Sequence, residues 1–193
     1  MGTVVTVTVG TDTFSVYALT ANAVTEADSF WNVRIGAAAT AWAAASADDK
    51  ARCLVLASDW IDRASEFSGT KTVSSQPREW PRDNAYCGDD AVASGTTPDN
   101  LAYACFWLAG QLIVDSSLAD GEGTGSNVKS AKAGTAKVEF FSQTSGNRLP
   151  QTAFDYVACY YDSDLASLGG TASGITETTA FDSEDFLRQD FYS

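Results

Sequence analysis

Between Cys53 and Ala64 the apolar residues Cys53, Leu54, Ala57, Trp60, Ile61 and Ala64 recur at steps of three and four. That spacing lines one face of an α-helix and has no strand equivalent. A helix with such a stripe must bury it on other elements, so the chain is expected to build a helical core. Ser46-Ala47-Asp48-Asp49 precedes the stripe with an oxygen-bearing cap and an acid three residues on, predicting a helix through about Arg63. Thr25-Glu26-Ala27-Asp28 repeats the signature ahead of Phe30, Trp31 and Val33 and predicts an earlier helix to about Gly36. An alanine-rich stretch around Trp42 lies between them. Thr97-Pro98 ahead of Leu101, Cys105, Leu108 and Leu112 predicts a third helix, and Leu149-Pro150 ahead of Phe154, Val157, Ala158 and Tyr161 a fourth.

The remaining segments carry other patterns. Thr3–Val9 is β-branched, Gly10-Thr11-Asp12 offers a turn and Thr13–Tyr17 is β-prone again, which predicts a hairpin that packs on the domain or pairs with a neighbouring subunit. Val128–Ala133 and Thr135–Phe141 flank Gly134, with Ala136, Val138 and Phe140 alternating with Lys137 and Glu139, and predict a second hairpin. Residues 66–97, broken by Gly69, Pro77, Pro81, Gly88 and Gly95, form a long ordered loop with short turns. The expected fold is therefore mainly α: a small helical bundle of about four helices with two β-hairpins, a long ordered loop and an extended C-terminal arm. Residues 1–24 make the N-terminal hairpin arm, 25–161 the helical domain with the hairpin 128–141 inserted, and 162–193 an acidic arm. That arm carries seven acids against Arg188, yet also Phe181, Phe186 and Phe191, apolar groups suited to docking.

Composition narrows function. The net charge of −13 opposes nucleic-acid binding, whose affinity comes largely from Lys and Arg on phosphates. The absence of histidine removes the commonest general base and the commonest metal ligand. No catalytic, cofactor-binding or metal-binding residues are assigned, and the expectation is a protein without enzymatic activity. Cys53, Cys87, Cys105 and Cys159 lack any C-x-x-C pair and are expected as buried free thiols. The N-terminus lacks the basic start and apolar stretch of a signal peptide, pointing to synthesis in a reducing cytoplasm. The apolar run Leu101–Val114 is too short for a membrane span.

Candidate constellations resolve mostly to structure. Asp48-Asp49, Asp59 with Asp62, and Asp89-Asp90 are the pairs that caps and solvated faces produce. Gly121, Gly123 and Gly125 lack the order of a phosphate-binding loop, and Ser126-Asn127-Val128-Lys129 lacks the partners of a serine–lysine site. In Ser75–Arg82 the residue before Pro81 is biased to extended backbone. Trp80 is then expected to lie flat on the helical core while Arg82 reaches a carboxylate or carbonyl; the alternative is a stack on bases with Arg82 on phosphate.

In order along the chain, the acid-capped first helix with Phe30-Trp31, Trp42, Ala57-Ser58-Asp59-Trp60-Ile61-Asp62, Phe67-Ser68-Gly69-Thr70-Lys71, Gln76, Trp80-Pro81-Arg82 and Pro98 form a string. Over about Thr25 to Tyr161 it resembles a family of tailed-bacteriophage proteins described as DnaT-like single-stranded-DNA-binding proteins and related to head-to-tail connectors. Pro77-Arg78-Glu79 departs from the more apolar lead expected there, and the extension after Tyr161 lies outside the pattern. The resemblance implies a virion protein at the head-to-tail interface, synthesised in the bacterial host cytoplasm. Its subunits would form a homo-oligomeric ring, commonly twelve-fold, between the portal protein and a tail or tail-completion protein. Genome DNA would pass through the channel without specific binding, and no membrane would be involved. The alternative is a single-stranded-DNA-binding replication protein. Trp80, Arg82, Lys132, Lys137, Phe181, Phe186 and Phe191 are the residues expected at protein interfaces.

Overall fold

The structure, a computed structural model, describes residues 1–64, 66–120, 130–133, 136–139 and 149–161. Strands β1 (Thr3–Val9) and β2 (Asp12–Ala18) pair antiparallel from Thr3 opposite Ala18 to Val9 opposite Asp12. Gly10 enters the turn at φ 63°, a left-handed conformation that suits glycine in a two-residue hairpin loop. Val16, Tyr17 and Ala18 are fully buried, and the hairpin packs on helices of its own chain.

Those helices are α1 (Ala23–Asn32), α2 (Ala37–Ala44), α3 (Ala47–Ala64), α4 (Asp99–Val114) and α5 (Gln151–Val157). The mainly α architecture stands, with five α-helices among the described residues where four were expected. The alanine-rich stretch is itself the helix α2, which buries the ring of Trp42. Its other side chains are almost all alanine and form no apolar stripe, so periodicity could not reveal it. The cap of α1 also differs from expectation: Asn22 accepts from the Thr25 amide at 3.2 Å. Glu26 instead reaches back to the amides of Leu19 and Thr20, at 2.6 and 2.7 Å. The α3 cap is as its sequence indicates, with Ser46 Oγ accepting from the Asp49 amide at 3.1 Å. For α4 the N-cap is Pro98, one residue beyond the expected Thr97.

Helix α4 is the centre of the bundle. Leu101, Ala102, Cys105, Phe106, Leu108 and Ala109 are all fully buried, so it is apolar nearly all round, as a helix surrounded by protein must be. It packs against α2, α3, α5 and β2. Trp31 crosses it closely: the indole Nε1 donates to the Phe106 carbonyl at 2.9 Å. A Cβ on Gly110 would lie 2.1 Å from a ring carbon of Trp31, so only glycine admits this approach. Trp42 stacks beyond Trp31, with ring centroids 6.5 Å apart.

The segment 66–97 is ordered by two short ladders, β3 (Thr70–Lys71) with β4 (Arg82–Asp83) and β5 (Tyr86–Cys87) with β6 (Asp90–Ala91). It is also covalently tied. Cys87 and Cys159 form a disulfide with Cα atoms 4.5 Å apart, correcting the expectation of four free thiols; Cys53 and Cys105 are free. The bridge joins β5 to a 3-10 turn (Ala158–Tyr160) that follows α5, beside a backbone bond from the Gly88 amide to the Cys159 carbonyl at 3.0 Å. Strands β7 (Ser130–Ala133) and β8 (Ala136–Glu139) pair antiparallel as the second hairpin, and the outer residues of the expected hairpin, 128–129 and 140–141, lie outside the described residues.

Two outcomes test this packing. Gly110→Ala would gain about 1 kcal/mol of helix propensity, but overpacking against Trp31 costs about 1–3 kcal/mol. Net destabilisation in urea unfolding is therefore expected, and a stabilised variant would contradict the Trp31 contact. Reducing the disulfide, which closes a sequence separation of 72, should lower stability by about 2–4 kcal/mol. Coincident unfolding curves with and without reductant would show that the bridge does not constrain the chain.

Candidate functional site

Arg78 sits where the 66–97 segment meets the bundle, its side chain only 7% exposed. Its Nε donates to the Ser15 carbonyl of β2 at 2.8 Å, and its Nη1 donates to Asp59 and, at 3.2 Å, to Asp62 of α3. Asp62 also accepts from the Tyr17 hydroxyl and the Glu79 amide. Deeper in, Ser58 Oγ accepts from the Tyr17 amide at 3.2 Å and lies 3.2 Å from the Cys105 sulfur of α4. One polar chain thus joins hairpin, loop, α3 and α4. Asp62 is an interior partner of a guanidinium and not the solvated carboxylate expected of the Asp59–Asp62 pair.

Burial sets the ionisation of this cluster. It pushes Asp62 above the usual carboxylate range, a rise only partly offset by the Tyr17 hydrogen bond and the Arg78 charge. Burial, then the Asp62 charge, raises Tyr17 well above an ordinary phenol. For Arg78 burial acts to lower the pKa, but the hydrogen bond to Asp59 and the charges of Asp62 and Asp59 outweigh it. Desolvation pushes Cys105 up to about 12 and Cys53 to about 11, so both are protonated, unreactive thiols near neutrality. Among the described residues no cluster of His, Cys, Asp or Glu is placed to hold a metal ion, and no helix is long and apolar enough to cross a membrane.

The structure places Trp80 and Arg82 inside the chain. Trp80 is fully buried against Phe67 and Tyr160, edge to face. Arg82 donates to the Ser68, Phe67 and Gly69 carbonyls at 2.8, 3.1 and 2.6 Å and pairs with Glu79 at 2.8 Å. The ring on the core and the guanidinium on carbonyls are as the sequence indicates. Lys132 and Lys137 stand opposite each other in the β7–β8 register. Phe181, Phe186 and Phe191 lie outside the described residues.

Most described cations are already engaged. Of the seven Lys and Arg side chains described, five pair with carboxylates: Lys50 with Asp28, Arg52 with Asp49, Lys71 with Glu79, Arg78 with Asp59 and Asp62, and Arg82 with Glu79. Arg63 donates to a main-chain carbonyl. Arg34 also donates to a carbonyl, that of Phe30, with its guanidinium 3.3 Å from the centre of the Phe30 ring. It lines an open cleft of roughly 800 Å³ between α1, α2 and the start of α3. The cleft is lined by both Trp31 and Trp42 and by Asn32, Thr40 and Lys50, with Asp28 its one acid. Both indole nitrogens are occupied, Trp31 by Phe106 and Trp42 by Asp28, and both rings are buried behind the cleft. Sequence patterns missed this site because Arg34 belongs to no motif and the elements that form the cleft meet only in the fold.

A small, mainly α domain with antiparallel strand pairs is the class this arrangement defines. The chain matches the model of the family described as "Putative DnaT-like ssDNA binding protein" over residues 11–176 and belongs to that family. The match reaches beyond the Thr25–Tyr161 span of the resemblance, taking in β2 and part of the segment after Tyr161. Comparison with curated proteins and with solved structures gives no match.

Replacing Arg78 with methionine removes the charge that compensates Asp62 in the interior. The expected loss is about 3 kcal/mol in urea unfolding, the scale for breaking a buried pair from one side. A loss below about 1 kcal/mol would place Arg78 among solvent-screened surface pairs.

Proposed function

We propose that the chain binds single-stranded DNA and does so as a non-catalytic module, needing no cofactor. The observation that carries this reading is the family match, which covers residues 11–176 and so includes every described helix. The charge shapes how such binding must work. At −13 overall, with five of seven described cations paired, the described side chains form no long basic track for a phosphate backbone. Contact is therefore local, with one or two phosphates neutralised and apolar or aromatic groups supplying the rest.

A second reading is favoured by that same charge ledger. A head-to-tail connector subunit of a tailed phage lets DNA slide through an acidic ring without adhering, and the paired cations suit such a lining. On that reading the protein resides in the virion, contacts portal and tail proteins, and uses the β7–β8 hairpin against its neighbours. Deleting β7 or β8 would then abolish ring assembly while leaving the helical circular-dichroism signal largely intact.

Fluorescence polarisation with a labelled oligo(dT), titrated with the full chain at several salt concentrations, tests the first reading. Local contact to one or two phosphates gives a log–log salt slope of about −1, since each costs about −0.7 on single strands. Absence of binding at low salt, together with a ring seen by native mass spectrometry when a portal protein is added, would favour the connector.

A further inference from the structure

We infer that the cleft between α1, α2 and the start of α3 is the site that holds unpaired nucleotides, an assignment that rests on the single-stranded-DNA reading above. Among the described side chains it is the place where charge, shape and apolar surface coincide. Its lining carries Arg34 and Lys50 against Asp28 alone, a local positive balance on a chain of net −13. Lys50 is held by Asp28 at 2.8 Å. Arg34 has no carboxylate partner among the described residues, and its hydrogen bond goes to the main-chain carbonyl of Phe30. The fork therefore keeps donors for a phosphate while the Phe30 ring fixes its plane.

The rim of the cleft fits a base edge. Trp31 and Trp42 lie beneath it, 5% and 1% exposed, and back the cleft as buried core with their polar atoms satisfied inside the protein. Ile35, 99% exposed at the rim, supplies apolar surface that a free monomer would otherwise leave in water. Asn32 and Thr40 can hydrogen-bond a base edge. A second, smaller cleft, near β1 and the N-terminus of α3, has Asp48 and no cation, so it repels phosphate. A duplex presents its bases stacked and paired, whereas this cleft needs one splayed out, so single strands are preferred.

The test measures oligo(dT) affinity of the full chain by fluorescence polarisation for wild type, Arg34→Glu, Thr40→Trp and Arg63→Glu. Thr40 is exposed on α2 and its tryptophan obstructs the mouth without touching the core. Arg63, on α3 and outside the cleft, is the control for charge alone. Arg34→Glu and Thr40→Trp should each weaken binding at least about tenfold, the scale of one lost charge-assisted hydrogen bond to phosphate, while Arg63→Glu stays within about twofold, as a surface charge distant from the contact should. A duplex of the same sequence should compete at least about tenfold less well, for loss of base contact. Should Arg34→Glu alter the melting curve, Thr40→Trp decides. Wild-type binding that both cleft variants retain overturns the site but leaves DNA binding standing. No binding by the wild type overturns both, and equal competition by duplex overturns the preference for unpaired bases.

Discussion

Arg78 and the carboxylates around it are the constraint on which the remaining structure depends. Its guanidinium is almost wholly buried, yet it reaches β2 through the Ser15 carbonyl and α3 through Asp59 and Asp62. The segment that carries it is broken by prolines and glycines and could not hold a position through periodic packing. With Arg78 in place, the next residues fall in register: Glu79 donates its amide to Asp62, and Trp80 enters the aromatic cluster of Phe67 and Tyr160. Arg82 then ties the loop's own carbonyls together. A buried ion pair contributes little net stability beyond what an apolar substitute would, so its value here is positional. It selects one arrangement of an otherwise irregular loop.

That use of charge governs what is left for function. Three of the loop's basic side chains, Lys71, Arg78 and Arg82, are spent on carboxylates within the chain. Among the described side chains this leaves no extended basic surface for electrostatic capture of DNA. The exception is the α1–α2 corner, where Arg34 lies on Phe30 beside two tryptophans. Because Trp31 is pinned to α4 at Gly110, that corner is built on the most buried helix, giving a rigid floor beneath an exposed rim. A site of this kind compensates for a hostile net charge through local fit.

The elements visible in the sequence were those with a strong repeating signal. The α3 stripe, the Ser46 cap and the β-branched runs around the Gly10 turn each encode one element through nearby residues, and the structure builds each nearly where the sequence puts it. Helix α2 escaped because alanine gives no stripe to detect. The Cys87–Cys159 bridge escaped because a separation of 72 residues leaves no local mark. Arg78 stood out only as a departure from the family pattern, since a buried arginine and an exposed one look alike until Asp59, Asp62 and Ser15 are brought around it. The cleft was invisible for the same reason: its walls come from three helices, and its cation belongs to no motif.

Hydrogen exchange of the full chain, with and without saturating oligo(dT), followed by mass spectrometry, tests the central claim most directly. Slower exchange concentrated in 29–43, with the buried amides of α4 unchanged, is the result expected if the α1–α2 corner holds the strand. Unchanged exchange over 29–43, whether nothing slows or the slowing falls on the β7–β8 hairpin at 130–139, would contradict it.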